Sequence, residues 1–425
     1  MLATERFEGN MTEHDIVIIG GGPAGLAAAI AAYDNGIHDV VILDREKEVG
    51  GILRQCIHNG FGLHKLGREL TGPEYADVYA KEVAKRDITV LNESTVLSVS
   101  PDKIVTYSNT KGLNKIKAKA VILSMGCRER SRGALNIPGT RPAGVFSAGC
   151  AQKLINCEGY SVGKRVVILG SGDIGLIMAR RMSLEGAKVE AVCEIMPYSG
   201  GLTRNIVQCL DDFGIPLYLS TTVAEIHGRE RLEGVTIAKV DENRRVIPET
   251  KRYIPCDTLL LSVGLIPENE LTLSAGISLD PITGGAVVDE DRMTEVEGIF
   301  ACGNVLQVHD LVDYVSEEAE LAGVGASEYV KGALKGGNTV KTVPGNGVRY
   351  VLPQIVHTEK GKNVDLFLRV SAPHGKVRFT VKSGEIELAR ATTLRAVPGE
   401  MEKITLKADK LAQAKNTLTV TLEEL

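Results

Sequence analysis

Gly20, Gly22 and Gly25 follow the apolar run "DIVII" and open the alanine-rich run "GLAAAIAAY". Asp44 closes the next apolar run, 24 residues after Gly20. In that context each glycine has a separate task. Gly20 permits a tight turn, Gly22 lets backbone approach a pyrophosphate, and Gly25 lets the helix pack on the strand. The phosphates then face the positive end of a helix, and the Asp44 carboxylate can accept hydrogen bonds from a ribose diol. The arrangement recurs at Gly170, Gly172 and Gly175, with Glu194 as the acid. A carboxylate at 194 repels a 2'-phosphate, and no arginine follows in "EIMPYSGG", so the second site favours NAD(H) over NADP(H).

Thiols are the other reactive groups. The eight cysteines (56, 127, 150, 157, 193, 209, 256, 302) contain no C-x-x-C pair. That spacing excludes a zinc ribbon and a secreted disulfide framework, so no metal site is expected, and it fits thiols kept reduced in a cytosol. Cys150 and Cys157 lie close in sequence in "AGCAQKLINC". If this segment is helical, seven residues rise about 10.5 Å, beyond the roughly 7 Å between alpha carbons that a disulfide allows. An irregular loop would leave a bridge open.

The elements that position these groups read as α/β. Residues 14–46 and 164–194 each run strand, glycine loop, helix, strand, acid. The repeat implies two nucleotide-binding units in one chain. Near 334–347 the pattern gives way to glycine and proline, a linker signal, and beyond it the apolar period becomes two, as in "VDLFLRVSA" and "KVRFTVKSG". Six or seven such segments read as an antiparallel sandwich. With 13 Lys/Arg against 9 Asp/Glu over residues 345–425, the tail is mildly basic and suits either docking or a structural lid. The whole chain of 425 residues carries a formal charge of −5, so it lacks the basic field of a nucleic-acid binder. No long uncharged apolar run marks a membrane span and no signal peptide opens the chain, which points to a cytoplasmic protein. A second methionine, Met11, offers an alternative start, and residues 1–10 are set aside from fold reasoning.

Six motifs now carry a resemblance: the two glycine loops, Val49-Gly50-Gly51, "AVILSMG" ending at Gly126, "DTLLLSVGLIPENE" at 257–270, and "EGIFACGNV" at 297–305. Residues 14 to about 332 resemble the flavoprotein reductases with two dinucleotide-binding domains. The resemblance implies two Rossmann-like domains, one inserted in the other, plus the all-β sandwich. Its boundaries are an FAD-binding domain at 11–150 and 268–335, an NAD(H)-binding domain at 151–267, and the sandwich at 345–425. Gly20, Gly22, Gly25 and Asp44 would bind the ADP half of FAD, with Gly51 near the pyrophosphate, while Gly170, Gly172, Gly175 and Glu194 would bind NAD(H). Cys302-Gly303-Asn304 matches the late C-G-D motif, with neutral Asn304 in place of its acid. A helix beginning near Ser316 would aim its N-terminus at the flavin pyrimidine edge.

Thioredoxin-reductase-like members carry C-x-x-C before the second glycine loop. Here Cys157 sits near its second cysteine and Leu154 replaces the first, so the dithiol is broken. The stretches at 50–64 and 126–149 resemble a subgroup of flavoprotein subunits that accompany anaerobic-type glycerol-3-phosphate dehydrogenases, related to the alpha subunits of opine oxidase, hydrogen cyanide synthase and proline dehydrogenase. That likeness implies hydride exchange between NAD(H) and FAD, then relay to a partner dehydrogenase or iron–sulfur subunit. No cysteine follows Cys302, so a cluster held by the tail is excluded on ligand grounds. Cys56 and His58 are candidates for catalysis or proton transfer, since histidine titrates near neutrality, or are simply packed. Arg128, Arg130 and Arg132 either clamp an anion or form structural ion pairs. Two other readings stay open: an amino- or imino-acid dehydrogenase subunit whose second site is vestigial or holds another nucleotide, and a non-catalytic nucleotide-binding scaffold.

Overall fold

The computed structural model describes residues 11–334 and 336–425; residues 1–10 of the alternative start, and Lys335 of the linker stretch, lie outside it. The chain begins with β1 (Met11–Ile19), α1 (Pro23–Asp34) and β2 (Val40–Leu43). There follow α2 (Gly72–Lys85), β3 (Thr89–Leu91), β4 (Thr95–Val99), β5 (Ile104–Asn109) and β6 (Gly112–Leu123). The second glycine loop lies among β7 (Val145–Ser147), α3 (Ala148–Asn156), β8 (Arg165–Leu169), α4 (Asp173–Leu184), β9 (Lys188–Cys193), β10 (Leu217–Tyr218) and β11 (Thr258–Leu261). The first body resumes with β12 (Ile299–Ala301) and α5 (Val312–Val330). The tail holds β13 (Thr339–Pro344), β14 (Val348–Leu352), β15 (Ile355–His357), β16 (Val364–Val370), β17 (Val377–Ser383), β18 (Ile386–Thr393), β19 (Glu402–Leu406) and β20 (Leu418–Glu424).

These elements form two compact units. One comprises the described residues up to Arg54 together with 59–127 and 267–425, the other residues 55–58 and 128–266. In the first, a sheet ordered β3-β2-β1-β6-β5-β4 adds β12 beside β6. The pairs β1/β2, β1/β6, β2/β3 and β6/β12 are parallel. Long β6 serves two neighbours on one edge, antiparallel β5 along its start and parallel β12 along Val121–Leu123. The central strands are apolar and buried where they run through the middle of the sheet, at residues 16–19 of β1 and along all of β2, as a sheet covered on both faces requires. Small residues bring two covering helices together: Ala24, Ala27, Ala28, Ala29 and Ala32 of α1 are buried, and a side chain at Gly323 of α5 would strike the Ala28 carbonyl.

The second unit is a parallel sheet ordered β7-β11-β8-β9-β10, with a separate three-stranded antiparallel sheet at 221–228, 232–239 and 252–255. Its helix α3 contains Cys150 and ends with Cys157 as its C-cap. Among the eight cysteines none is disulfide-bonded.

The tail is a sandwich of a five-stranded sheet, β15-β13-β20-β17-β18, and a three-stranded sheet, β14-β16-β19. Val348, Leu366, Leu368, Phe379 and Val420 are among its core residues. It is welded to the dinucleotide-binding part of the first unit. Leu352 joins the core that contains Val288 and Ile299, and Gln354 accepts a hydrogen bond from the Val288 amide at 3.1 Å. Beside that seam, the Lys360 ammonium pairs with Glu290 at 2.9 Å and with Asp291, and His357 Nδ1 lies 3.0 Å from Glu290 Oε1. Ligand atoms of Asp289, Glu290 and His357 come within 4.8 Å of one another, a metal-compatible group that sequence spacing did not suggest, but the lysine already supplies a cation to it.

Burial and the adjacent Glu290 charge push Asp289 up to about 6. Burial alone would raise Glu290, but hydrogen bonds from His357 and Lys360 bring it down to about 2. The Glu290 hydrogen bond in turn holds His357 above its ordinary value of 6.5. Glu290 therefore contributes its full stabilisation above pH 4.5. The contribution of His357 is complete below 6.5 and is lost as pH rises through its raised value, and ionisation of Asp289 costs stability as pH rises through about 6. Urea unfolding of the first unit should consequently show a lower midpoint at about pH 8 than at about pH 5.5, and His357→Gln should flatten the difference. Lys360→Met, which leaves Asp291 without its ammonium partner and Glu290 with His357 alone, should cost about 3–5 kcal/mol at neutral pH.

Candidate functional site

Two nucleotide cradles stand at carboxyl ends of parallel strands, where open α/β sheets take their ligands. The first follows β1. Gly20 has φ +104°, and a side chain there would lie 2.6 Å from the Ser124 carbonyl oxygen. A Cβ at Gly25 would sit 1.8 Å from the Gly20 oxygen, so that glycine is a packing requirement. Gly22 differs: it caps α1 in extended conformation, and its nearest neighbour would be the Gly51 Cα at 4.0 Å. The protein keeps this position clear without needing it for its own packing.

The second cradle repeats the division. Gly170 has φ +101° against the Ser262 carbonyl, Gly175 packs on the Gly170 oxygen, and a side chain at Gly172 would meet nothing within 4 Å. The acids repeat as well. Asp44 Oδ2 accepts from the Gly21 amide and Oδ1 from the Glu46 amide at 2.8 Å. Glu194 Oε2 accepts from the Ser171 amide at 2.9 Å, and Oε1 from the Met196 amide at 2.9 Å. Each carboxylate thus staples its glycine turn to the loop beyond the next strand, a role beside the ribose contact that spacing suggested. Both cradles fit a diphosphate on these grounds: bare amides at a helix N-terminus, with the middle glycine unobstructed.

Around the first cradle, Gly51 begins a short helical turn with φ +55°, and its Cβ would come within 3.0 Å of Gly22. Gly126 has φ +75° with open space around it, and its carbonyl accepts from the Glu268 amide. Gly303, two residues after the end of β12, has φ +73° and would strike Ala24 of α1 if it bore a side chain. Asn304 is therefore held at the same edge of the sheet as the first glycine loop. One expectation is corrected here: α5 begins at Val312, not near Ser316. The extended Leu311 is its N-cap, and Ser316 lies a turn inside, fully buried, bonded at 2.8 Å to the Tyr75 hydroxyl. Ser316 is a core contact of α5, and the unbonded amides belong to residues near 312–314.

Cys56 and His58 fall in the second unit. The Gln55 amide donates to the Gly149 carbonyl and to Gln152 Oε1, both at 2.9 Å, and Cys56 Sγ lies 3.8 Å from Gln152 Oε1. Burial, with Cys157 nearby, pushes the Cys56 thiol up to about 12, so it is not poised as a thiolate nucleophile. Burial, then the charges of Arg204 and Arg180, bring His58 down to about 4, so it does not titrate near neutrality as its residue type suggests. Of the three arginines, Arg132 is engaged with the Thr140 carbonyl, and the Arg130 amide bonds Gly264.

Sequence reasoning missed a buried polar cluster behind Asn304. Glu318 of α5, only 1 % exposed, accepts from the Gly303 amide at 3.0 Å, from Gln307 Nε2 at 2.9 Å and from Arg292 Nε at 3.3 Å. His309 Nε2 lies 3.4 Å from Glu318 Oε2. The only available signal was charge in otherwise apolar surroundings, in "DEDRM" and in the α5 segment "SEEAEL".

The glycines yield a differential test. Gly172→Ala should leave thermal stability nearly unchanged, within about 0.5 kcal/mol, yet weaken NADH binding about tenfold or more by titration calorimetry. Gly175→Ala should destabilise the second unit outright.

Residues 14–327 match the family described as pyridine nucleotide-disulphide oxidoreductase. An opine oxidase subunit of Agrobacterium tumefaciens is 26% identical over 68% of this chain and 61% of its own length. The hydrogen cyanide synthase subunit HcnB of Pseudomonas protegens is 27% identical over 61% of this chain and 58% of its own. The chain therefore spans about three fifths of these curated relatives. Thioredoxin reductase of T. acidophilum superposes with a TM-score of 0.61 at 26% identity, covering 75% of this chain and 98% of that one. With its two cradles and this match across most of its length, the chain belongs to the pyridine nucleotide-disulphide oxidoreductases, a family of FAD-dependent oxidoreductases that bind FAD and NAD(P)H.

Proposed function

We propose that the chain is one component of a larger enzyme: it binds FAD in the first cradle and NAD(H) in the second, exchanges hydride between them, and relays electrons to a partner. The observation that carries the reading is the pair of middle glycines, Gly22 and Gly172, which pack against little or nothing of the protein itself. A bound flavin would accept two electrons as hydride and release them onward, singly or together. The chain's own residues bind and orient. Asp44 and Glu194 hold the two turns, Gly51 and Gly303 close in beside the first, and the N-terminus of α5 supplies positive potential where charge accumulates on reduction. Glu194 favours NAD(H), because its carboxylate would stand against a 2'-phosphate.

The acceptor lies outside the chain on this reading. Leu154 stands where a C-x-x-C would have its first cysteine, and helix α3 runs through Cys150 to Cys157. The partner is a dehydrogenase of the glycerol 3-phosphate type or an iron–sulfur subunit. Similarity to proteins named as subunits supports an assembly of that kind. A cytoplasmic location is in keeping with eight cysteines outside any disulfide; among the described residues no helix is long and apolar enough to cross a membrane.

Anaerobic mixing of the FAD-loaded protein with NADH should bleach the flavin absorbance in the stopped flow, faster than with NADPH. A double Cys150→Ser, Cys157→Ser variant should be bleached at an unchanged rate. Bound FAD that neither nucleotide reduces would refute the proposal.

A further inference from the structure

His309 lies between Asn304, at the edge of the first cradle, and the start of α5. Its ring is buried, with the side chain 1 % exposed. Nδ1 lies 3.3 Å from Asn304 Oδ1, Nε2 lies 3.4 Å from Glu318 Oε2, and the backbone of Gln307 is also within reach. The Asn304 orientation follows from its surroundings: Oδ1 also accepts the His309 backbone N–H at 3.0 Å, while Nδ2 points to Cys127 Sγ at 3.6 Å. A flipped amide would set two donors against each other.

Both ring nitrogens therefore face acceptors. A neutral imidazole carries one N–H and can satisfy one of them; an imidazolium satisfies both. Burial opposes the charged form and holds the ring below its ordinary value, against the upward pull of Glu318 and Asp310, while Arg369 of β16 adds to the opposition. Arg292, across Glu318, neutralises part of the charge that would stabilise an imidazolium, and its Nη2 is a buried donor without an acceptor among the described residues. Hydrogen-bond geometry and desolvation thus pull the ring in opposite directions. A new negative charge nearby is enough to change the balance.

We propose that His309 is the charge-compensating proton acceptor of the first cradle, binding one proton from solvent when the dinucleotide held there is reduced by two electrons. This rests on the assignment of FAD to that cradle. Hydride from NADH carries two electrons and one proton, NAD+ leaves, and the reduced group retains one negative charge. His309 then forms one new N–H bond with a solvent proton, and its positive charge offsets that negative charge across Asn304. No protein bond is broken. His309 is a positioning residue in this sense: it touches Asn304 and Glu318 and acts on the flavin through them.

The test uses FAD-loaded protein labelled with 15N in its histidine rings, compared before and after dithionite reduction at neutral pH. One imidazolium signal should appear on reduction and be absent from His309→Gln. Spectroelectrochemical titration should show a midpoint potential that falls more steeply with pH than in His309→Gln, by one proton per two electrons. Asn304→Asp preserves shape and places a carboxylate against the ring, so it should show the imidazolium already in the oxidised protein and lose the extra pH dependence. Flavin absorbance after gel filtration is measured first: a protein that retains no FAD overturns this inference together with the assignment beneath it. Bound, reducible FAD with no new imidazolium, or with an unchanged pH slope in both variants, overturns the role of His309 alone.

Discussion

A backbone turn that exposes its amides must be held open by something other than a ligand. Here a carboxylate at the end of the neighbouring strand does this. Asp44 bonds the Gly21 and Glu46 amides, and Glu194 bonds the Ser171 and Met196 amides. The staple uses the amide just before the middle glycine and one in the loop beyond the next strand, leaving the helix N-terminus free to receive an anion. Everything else in each unit serves that geometry: the parallel strands that end at one edge, the first-position glycines that turn the chain, and the third-position glycines that let the helix descend onto the turn.

The first cradle is braced from behind by the tail. Arg369 of β16 donates to the Val308 carbonyl at 3.0 Å and lies 3.3 Å from Asp310, while the Met401 amide reaches Asp310 from another loop of the sandwich. These contacts grip the segment that joins Asn304 to α5. A sandwich that shares a core through Leu352 and two ionic seams with its neighbour packs as part of the dinucleotide-binding body, although glycine and proline mark the stretch before it. Its mildly basic composition is partly spent in these internal pairs.

Reactive side chains are less informative than their types imply. Cys56 and His58 stand out in sequence as a thiol and an imidazole near a glycine motif, yet desolvation disfavours the charged form of both. His309 draws no notice there, being an isolated histidine in "LQVHDLVDY". Its interest comes from two acceptors, one five residues before it and one nine residues after it, brought to opposite sides of its ring.

The two glycine loops, their acids and the period-two tail were legible from residue order alone. Each is a local pattern: a turn needs its glycine, and a half-buried strand alternates. The start of α5 lies four residues ahead of its expected place because "LVDYV" carries no usual capping side chain, and the extended Leu311 that begins the helix is set by its surroundings. Placement of Gln55–His58 with the second unit, the Lys360 seam and the Arg292–Glu318–His309 cluster depended on tertiary structure. Buried charges are tolerated only where distant segments bring partners together, and neither the pairing nor the burial that shifts their protonation is written in any local spacing.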